Sequence, residues 1–117
     1  MITGVHALMY TKGAEALRTF FRDVLEWKAV DAGGGWTICA LPPAEIAAHP
    51  DDGDTRCELY LMCDDVNATI AALKAKGVEI TQPVADRGWG LVTALRLPDG
   101  SEMGLYEPRH MTAIARS

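Results

Sequence analysis

Short runs of apolar residues follow one another in the same order in the two halves of the chain. Residues 4–10 alternate between two faces and precede an amphipathic segment, and residues 57–62 repeat this arrangement in the second half. A Gly-Trp pair at 35–36 and another at 88–89 each open a further apolar run. The pattern predicts two copies of a unit made of a strand, a helix and further strands. A half that cannot close its own core packs against its twin, and the seam is a natural place for a ligand.

Each half contains one amphipathic segment that predicts a helix. Thr11 is the predicted cap of the first helix, Asp64 or Asp65 caps the second, and Gly77 ends the second. The apolar stripes consist of Ala14, Leu17, Phe20, Phe21 and Val24 in the first helix, and of Val66, Ile70 and Leu73 in the second. Because each stripe recurs at helical spacing, both helices are expected to cover one face of a sheet.

The remaining apolar runs predict the other strands. They lie at residues 28–30, 36–41, 78–81, 91–97 and 102–106, with a tight turn at 98–100. The predicted fold is α+β: two tandem βαβββ modules, about 2–50 and about 56–108, form a curved mixed sheet around a central cleft, with the helices outside. The whole chain, 1–117, is expected to be a single domain, and its tail from residue 109 is expected to be loosely held.

Residues on the sheet face away from the helices are the candidate lining of the cleft. Strand parity assigns to this face His6, Leu8 and Tyr10, then Glu58, Tyr60 and Met62, and finally Glu102, Gly104 and Tyr106. Trp36 and Trp89 are candidates either for stacking on a ligand or for packing in the core or at a subunit interface. Apolar walls with a few polar groups are typical of small-molecule pockets. The predicted ligand-binding residues are Leu8, Trp36, Glu58, Tyr60, Met62, Trp89, Glu102 and Tyr106.

Composition narrows the class of protein. Apolar residues make up 49% and charged residues 23% of the 117 residues, which is ordinary for a globular protein. The net charge of −5 and the lack of a basic stripe argue against nucleic-acid binding. No run approaches the ~18 apolar residues of a membrane span, and the N-terminus lacks a secretory pattern. Cys39, Cys57 and Cys63 are odd in number and form no CxxC pair, so we interpret them as reduced thiols of a cytoplasmic protein.

Three segments of the chain resemble the vicinal oxygen chelate superfamily, which groups glyoxalase I, extradiol dioxygenases, fosfomycin-resistance enzymes and bleomycin-resistance proteins. They are the opening strand with His6, the end of the first helix at 21–27, and the segment 97–107 with its Pro-Asp-Gly turn. The resemblance covers residues 2–108 and implies the fold predicted above, as well as a homodimer. Since this scaffold supports many chemistries, the site residues have to decide among them.

The resemblance also implies a metal site. Metal-dependent members hold a divalent ion with His and Glu side chains on inward strands. His6 falls on the first ligand position, and Glu58 falls on the position that opens the second half. Gly104 occupies the slot in which the last strand should provide a Glu, and glycine cannot ligate. The candidates for completing the shell are Glu45, His49 and Glu102. We therefore expect Zn, Ni, Mn or Fe to bind weakly.

Three functions follow from these expectations. The first is a binding protein that lacks a cofactor and, like the bleomycin-resistance branch, sequesters an aromatic or cationic compound such as an antibiotic. The second is a divalent-metal-dependent enzyme, either a glyoxalase-like lyase or isomerase or a dioxygenase. The third is an interaction module without a small ligand. Gly104 favours the first, because it removes an expected carboxylate ligand. The expected partners are a small molecule and a second copy of the chain, with neither nucleic acid nor membrane.

Overall fold

The chain folds into two helices and six strands over the residues that its computed structural model describes, which are 6–34, 37–48, 50, 52–54 and 56–114. In chain order the elements are α1 (Ala14–Asp23), β1 (Ala29–Asp31), β2 (Thr37–Cys39), β3 (Tyr60–Met62), α2 (Val66–Ala75), β4 (Ala85–Asp86), β5 (Gly90–Arg96) and β6 (Glu102–Pro108). The fold is α+β, as the sequence predicts. No helix within these residues is long and apolar enough to cross a membrane.

The second half of the chain forms a four-stranded mixed sheet in the order β3-β6-β5-β4. Strands β3 and β6 are parallel, whereas β6, β5 and β4 are antiparallel to their neighbours. Helix α2 and strands β4 and β5 lie between β3 and β6 in the chain and provide the long connection that a parallel pair requires. The β5–β6 hairpin closes through the predicted turn at 98–100, where the backbone N–H of Gly100 donates to the carbonyl of Leu97 at 2.9 Å. In the first half, β1 and β2 form a two-stranded antiparallel sheet.

The core lies between the two helices and one face of the four-stranded sheet. Leu95 is fully buried and Leu105 is 2% exposed, and both face α1 and α2. Burial of each such side chain contributes about 1.5–3 kcal/mol. The buried cluster consists of Leu17, Phe20, Val66, Leu73, Val78, Leu95, Leu97, Met103 and Leu105. Since Leu17 and Phe20 belong to α1, the helix of the first half completes the core of the second half.

Of the two predicted helix caps, the structure confirms the one for α2 and not the one for α1. Asp65 caps α2, since its carboxylate accepts the backbone N–H of Ala68 at 3.0 Å, and Gly77 follows the helix with a φ of 82°. The predicted cap of α1 is wrong, because the N-cap is Gly13. Thr11 instead donates its hydroxyl to the carboxylate of Asp99 at 2.6 Å. Thr11 therefore joins the start of α1 to the β5–β6 turn.

Three predicted segments differ from the observed ones. Residues 6–10, predicted as part of a strand, are irregular and exposed, because an apolar pattern forms a strand only where a partner strand pairs with it. Residues 78–81 form a single bridge between Ile80 and Leu95 rather than a full strand. The tail, predicted to be loosely held, makes hydrogen bonds over 109–114. The backbone N–H of Arg109 donates to the carbonyl of Trp89 at 2.9 Å, and the backbone N–H of Ala113 donates to the Glu45 carboxylate at 2.8 Å.

Candidate functional site

The sheet face away from the helices carries an aromatic cluster. In the parallel pair, Tyr60 on β3 stands opposite Gly104 on β6, and Met62 stands opposite Tyr106. Leu61 and Leu105, which alternate with them, belong to or pack against the core. Strand parity therefore places Tyr60 and Tyr106 on the open face, as the sequence predicts.

Glycine makes room for each tyrosine ring. A Cβ atom on Gly104 would overlap the ring of Tyr60, which lies directly over that position. A Cβ atom on Gly90 would lie 2.7 Å from Cδ2 of Tyr106 and 3.0 Å from the carbonyl oxygen of Glu107. The two rings thus lie against bare backbone, which fixes their positions on the sheet. The position in which the family resemblance expects a metal-binding carboxylate is covered by Tyr60.

Trp89 reaches the same face from the turn between β4 and β5. In this turn the backbone N–H of Gly88 donates to the carboxylate of Asp86 at 2.9 Å, and Gly88 has a φ of 81°. The carbonyl of Trp89 accepts the backbone N–H of Arg109 at 2.9 Å, so the turn is also tied to the tail. The indole is thereby held beside Tyr106, with 45% of the residue exposed.

Tyr60, Trp89 and Tyr106 form what we call the aromatic corner. Their ring centroids are 6.2 Å apart for Tyr60–Trp89, 5.9 Å for Tyr60–Tyr106 and 5.2 Å for Trp89–Tyr106. The corresponding angles between ring planes are 89°, 84° and 70°. Tyr106 is 8% exposed, whereas Tyr60 is 42% exposed. The corner therefore has one buried ring and two rings that are open to solvent.

His110 and Glu45 border the aromatic corner on the side of the tail. The His110 ring stacks on Tyr106 with centroids 5.9 Å apart, and its Nε2 lies 3.2 Å from the Tyr106 hydroxyl. Its Nδ1 lies 2.9 Å from the carbonyl oxygen of Met111, which can only accept a hydrogen bond. Nδ1 therefore carries a proton. One carboxylate oxygen of Glu45 lies 4.0 Å from His110 Nε2, and the other accepts the backbone N–H of Ala113.

Tyr106 remains a neutral phenol at physiological pH. Burial raises its pKa above the ordinary value of 10.0, and the negative charge of Glu45 raises the pKa further. The hydroxyl can therefore donate to Nε2 of a neutral His110. This arrangement links Tyr106, His110 and Met111 in one chain of hydrogen bonds at the edge of the corner.

An open depression of about 420 Å³ adjoins His110. Its lining consists of Met62, Cys63, Asp64, Glu107, Pro108, His110 and Thr112. Cys63 is half-buried, and burial raises the pKa of its thiol, so the sulfur is a poor nucleophile there. Cys39, Cys57 and Cys63 are free thiols, as predicted. The depression offers volume for a ligand, and the aromatic corner beside it offers ring faces.

The candidate metal ligands do not converge in the described part of the chain. His6 and Glu58 are both exposed and lie in irregular segments. Glu102 accepts hydrogen bonds from the hydroxyl of Thr81 and from the amide of Gln82 at 3.2 Å. No group of three or more His, Cys, Asp and Glu side chains that could hold a metal ion occurs among the described residues. The donors described here therefore do not fit a closed metal shell. His49 lies outside the described residues.

The other predicted ligand-binding residues are dispersed. Leu8 is 57% exposed in the irregular segment before α1, and Trp36 lies outside the described residues. Glu102 is held by Thr81 and Gln82 at the far end of β6. Met62 lines the depression. The structure thus brings the rings of Tyr60, Trp89 and Tyr106 into contact and places Met62 opposite Tyr106.

Sequence reasoning missed His110 and gave Glu45 a different role. His110 follows the last strand, in a tail that was expected to be loose, and Glu45 lies in an irregular segment of the other half. The contact between Glu45 and Ala113 spans 68 positions and leaves no local pattern. One signal was available: His110 lies four positions after Tyr106, close enough in the chain for the two rings to meet once β6 ends.

These features define an α+β scaffold with an aromatic cluster on the open face of its sheet, and comparison with known proteins places the chain in a family. The sequence profile of the Glyoxalase/Bleomycin resistance protein/Dioxygenase superfamily matches residues 4–105. The chain belongs to this superfamily. No curated protein sequence matches the chain.

Solved structures with the same fold include binding proteins and enzymes. TnmS3, an antibiotic binding protein from Streptomyces sp. CB03234, is 20% identical with a TM-score of 0.58, and the alignment covers 92% of this chain and 97% of that one. A lactoylglutathione lyase from Agrobacterium tumefaciens is 14% identical with a TM-score of 0.63, over 90% and 92% of the two chains. The fosfomycin resistance protein FosX from Listeria monocytogenes, complexed with Mn(II), is 18% identical with a TM-score of 0.55, over 91% and 90%. At these identities the likeness shows the fold alone.

Proposed function

We propose that the protein binds a small organic molecule at the aromatic corner and sequesters it without transforming it. The observation that carries this proposal is the corner itself: two exposed rings and one buried ring meet on the open face, beside a depression. Solvent-exposed aromatic rings that are held by the backbone are suited to stacking on a planar or cationic compound. An antibiotic is one such compound, and its sequestration would confer resistance.

Gly104 supports binding over metal catalysis. A carboxylate at this position would have to displace the Tyr60 ring, since even a Cβ atom would overlap it. The chain therefore uses the position for ring packing. We further propose that the protein is a single domain that acts as a cytoplasmic homodimer, in which the ligand-binding residues are Tyr60, Met62, Trp89 and Tyr106.

Quenching of tryptophan fluorescence by a panel of aromatic drugs tests the proposal. The variant Trp89→Phe should lose most of the quenching, because Trp89 lies in the corner. Trp27→Phe is the matched control: Trp27 stacks on Phe21 with centroids 5.1 Å apart, so the variant should quench as the wild type does. The proposal fails if no compound quenches the wild type, or if Trp89→Phe and Trp27→Phe respond alike.

The alternative is a divalent-metal-dependent lyase, isomerase or dioxygenase. His6 and Glu58, which match the order of the family's ligand positions, favour it, and both side chains are exposed. Plasma mass spectrometry of untagged protein dialysed against each divalent ion decides between the two. Near-stoichiometric metal that disappears in His6→Ala would favour the enzyme, and dicarbonyl and catechol substrates would then be tested. Protein that does not retain metal would favour sequestration.

A further inference from the structure

Tyr106 is the member of the aromatic corner that a ligand cannot reach in this structure. It is 8% exposed, whereas Tyr60 and Trp89 are 42% and 45% exposed. Part of its ring lies against the backbone at Gly90. The ring of His110 stacks on it with 28° between the ring planes, and Nε2 lies 3.2 Å from the Tyr106 hydroxyl. A side chain from the tail therefore occupies a place against Tyr106 that a flat ligand would need.

His110 also contacts the open depression of about 420 Å³ beside the corner. Within the described part of the chain, the lining of this depression includes His110 and Met62 but not Tyr106. Met62 nevertheless stands directly opposite Tyr106 in the parallel pair of β3 and β6. Because His110 touches both the depression and the Tyr106 ring, withdrawal of its side chain would join the two. The joined space would have a thioether wall at Met62 and an aromatic wall at Tyr106.

The tail after β6 is fastened by hydrogen bonds near both of its ends. Its residues 109–114, which we call the tail lid, contain no helix or strand. At the start of the lid, the N–H of Arg109 donates to the carbonyl of Trp89 at 2.9 Å. Near its end, the N–H of Ala113 donates to the carboxylate of Glu45 at 2.8 Å. The lid that carries the ring on Tyr106 is thus held in place by a residue from the first half of the chain.

Little buried apolar surface holds the tail lid down. Its apolar side chains Met111 and Ile114 are 82% and 37% exposed. A hydrogen bond adds only modestly to stability, because water replaces the lost partner when the bond opens. Segments with few buried apolar contacts open at a lower free-energy cost than the whole protein. Loss of the Glu45 contact would free the end of the lid, while the bond at Arg109 would keep its start in place.

We propose that the tail lid closes the ligand site of the aromatic corner, and that a ligand reaches Tyr106 when the lid has moved away together with His110. The inference rests on the proposed function and adds a regulation to the same site. The closed state competes with the ligand, so the apparent affinity is the intrinsic affinity multiplied by the fraction of open molecules. A change that releases the lid therefore tightens binding, whereas a change that removes a wall of the site weakens it.

Two variants of Glu45 test the lid without a ligand. Glu45→Ala removes the acceptor for the N–H of Ala113, whereas Glu45→Gln keeps a carbonyl oxygen in its place. A soluble gadolinium chelate measures the solvent access of the Tyr106 ring by NMR relaxation of its ring protons. We expect the relaxation enhancement to rise at least about twofold in Glu45→Ala and to stay near wild type in Glu45→Gln. The buried ring of Phe20 in the core should not change. An unchanged Tyr106 ring in Glu45→Ala, or an equal rise at Phe20, would overturn the proposal.

The affinity for 1-naphthol, a neutral planar probe, tests the effect of the lid on binding. Calorimetry on the full chain compares the wild type with Glu45→Ala, with Glu45→Gln and with His110→Ala, which removes the ring that stacks on Tyr106. We expect Glu45→Ala and His110→Ala to bind 1-naphthol several-fold more tightly than the wild type, and Glu45→Gln to bind it as the wild type does. Weaker binding by Glu45→Ala and His110→Ala would make these residues part of the site wall and would overturn the lid.

The same experiments separate this inference from the proposed function. Drugs that quench Trp89 in the wild type, with equal 1-naphthol affinity in the wild type and Glu45→Ala, would retain a binding protein and reject the lid. If neither the drug panel nor 1-naphthol binds the wild type or any variant, both are rejected. Greater solvent access of Tyr106 in Glu45→Ala, together with tighter binding of 1-naphthol, would support both.

Discussion

At the scale of single residues, the ring of Tyr60 explains why position 104 is a glycine. Gly104 stands opposite Tyr60 in the parallel pair, and its lack of a Cβ atom lets the Tyr60 ring lie on the backbone. Gly104→Ala should therefore force the ring aside and lower the free energy of unfolding by about 1–3 kcal/mol, the usual cost of overpacking. Urea denaturation measures this change.

A double-mutant cycle is the control for this prediction. In the background of Tyr60→Ala, the overlap partner is gone, and Gly104→Ala should cost only a small fraction of its wild-type penalty. An equal penalty in both backgrounds would mean that the backbone, and not the Tyr60 ring, requires glycine. The cycle also tests whether Tyr60 has the position on which the ligand-binding proposal depends.

The pKa values of two carboxylates, Asp99 and Glu102, depend on the hydrogen bonds that they accept. Hydrogen bonds from Ser101 and from the hydroxyl of Thr11 lower the pKa of Asp99 below its ordinary 3.8. Hydrogen bonds from Thr81 and Gln82 lower the pKa of Glu102 below 4.5. A folded-state pKa below the unfolded one stabilises the protein above the ordinary pKa, and this stability is lost as pH falls through the lowered value.

These two groups allow a reciprocal test by NMR titration of the carboxyl carbons. Thr11→Val should raise the pKa of Asp99 toward its ordinary value and leave Glu102 unchanged. Thr81→Val should raise the pKa of Glu102 and leave Asp99 unchanged. If Thr11→Val does not move Asp99, then Thr11 does not join α1 to the β5–β6 turn in solution.

At the scale of secondary-structure elements, the start of α2 is held from two sides. The Asp65 carboxylate accepts the N–H of Ala68 at 3.0 Å, and the Glu107 carboxylate from β6 accepts the N–H of Val66 at 3.0 Å. The first contact is local and the second fastens the helix to the sheet. Together they satisfy two of the N–H groups that a helix leaves unpaired at its start.

Asp65→Ala should lower the free energy of unfolding by about 1 kcal/mol, whereas Asp65→Asn should stay within a few tenths of wild type. Thermal or urea denaturation measures both. The neighbouring exposed carboxylate gives the matched control: Asp64→Ala should have little effect. If Asp64→Ala lowers the free energy of unfolding as much as Asp65→Ala does, then Asp65 is not the specific cap of α2.

The elements that the sequence predicts well are those that local chemistry determines. The cap at Asp64 or Asp65, the stop at Gly77 and the turn at 98–100 all depend on residues within a few positions. The stop and the turn are observed, and of the two candidate caps the structure shows Asp65. The cap at Thr11 was wrong because α1 begins at Ala14, with Gly13 as its N-cap. Thr11 accepts the N–H of Gly13 at 3.1 Å and donates to Asp99, which is 88 positions away. Residues 6–10 have the alternating pattern of a strand but form none, because a strand also requires a partner strand beside it.

In the candidate site, too, the sequence predicts the features that local alternation determines and misses those that depend on long-range contacts. Strand parity alone placed Tyr60, Gly104 and Tyr106 on one face, because alternation is a property of each strand. It could not reveal why position 104 is glycine, which requires the register of β3 against β6. Nor could it bring Glu45 and His110 to the corner, because that contact joins an irregular segment of the first half to the tail of the second.

At the scale of the whole molecule, the chain exposes more surface than a folded monomer of its size. Its accessible surface is 8815 Å², whereas a monomer of 12.6 kDa is expected to expose about 6,200 Å². Its radius of gyration of 15.2 Å also exceeds the roughly 13 Å expected for its length. Among the exposed apolar residues are Leu8, Tyr10, Ile46, Leu59 and Met111. Surface of this extent is what a homodimer interface would bury.

We therefore expect the protein to sediment at twice its 12.6 kDa mass in analytical ultracentrifugation. Residues 6–10 are the segment most suited to the interface, because they combine a strand pattern with exposed apolar side chains. Leu8→Asp should then dissociate the dimer at micromolar concentration, because it would bury an unpaired charge at the interface. Leu41→Asp, at a residue that is 46% exposed, is the matched control and should remain dimeric. A wild-type monomer, or equal dissociation by both variants, would contradict the assignment. A dimer that only Leu8→Asp disrupts would support residues 6–10 as part of the interface, where the strand pattern of this segment finds the partner strand that one copy of the chain does not provide.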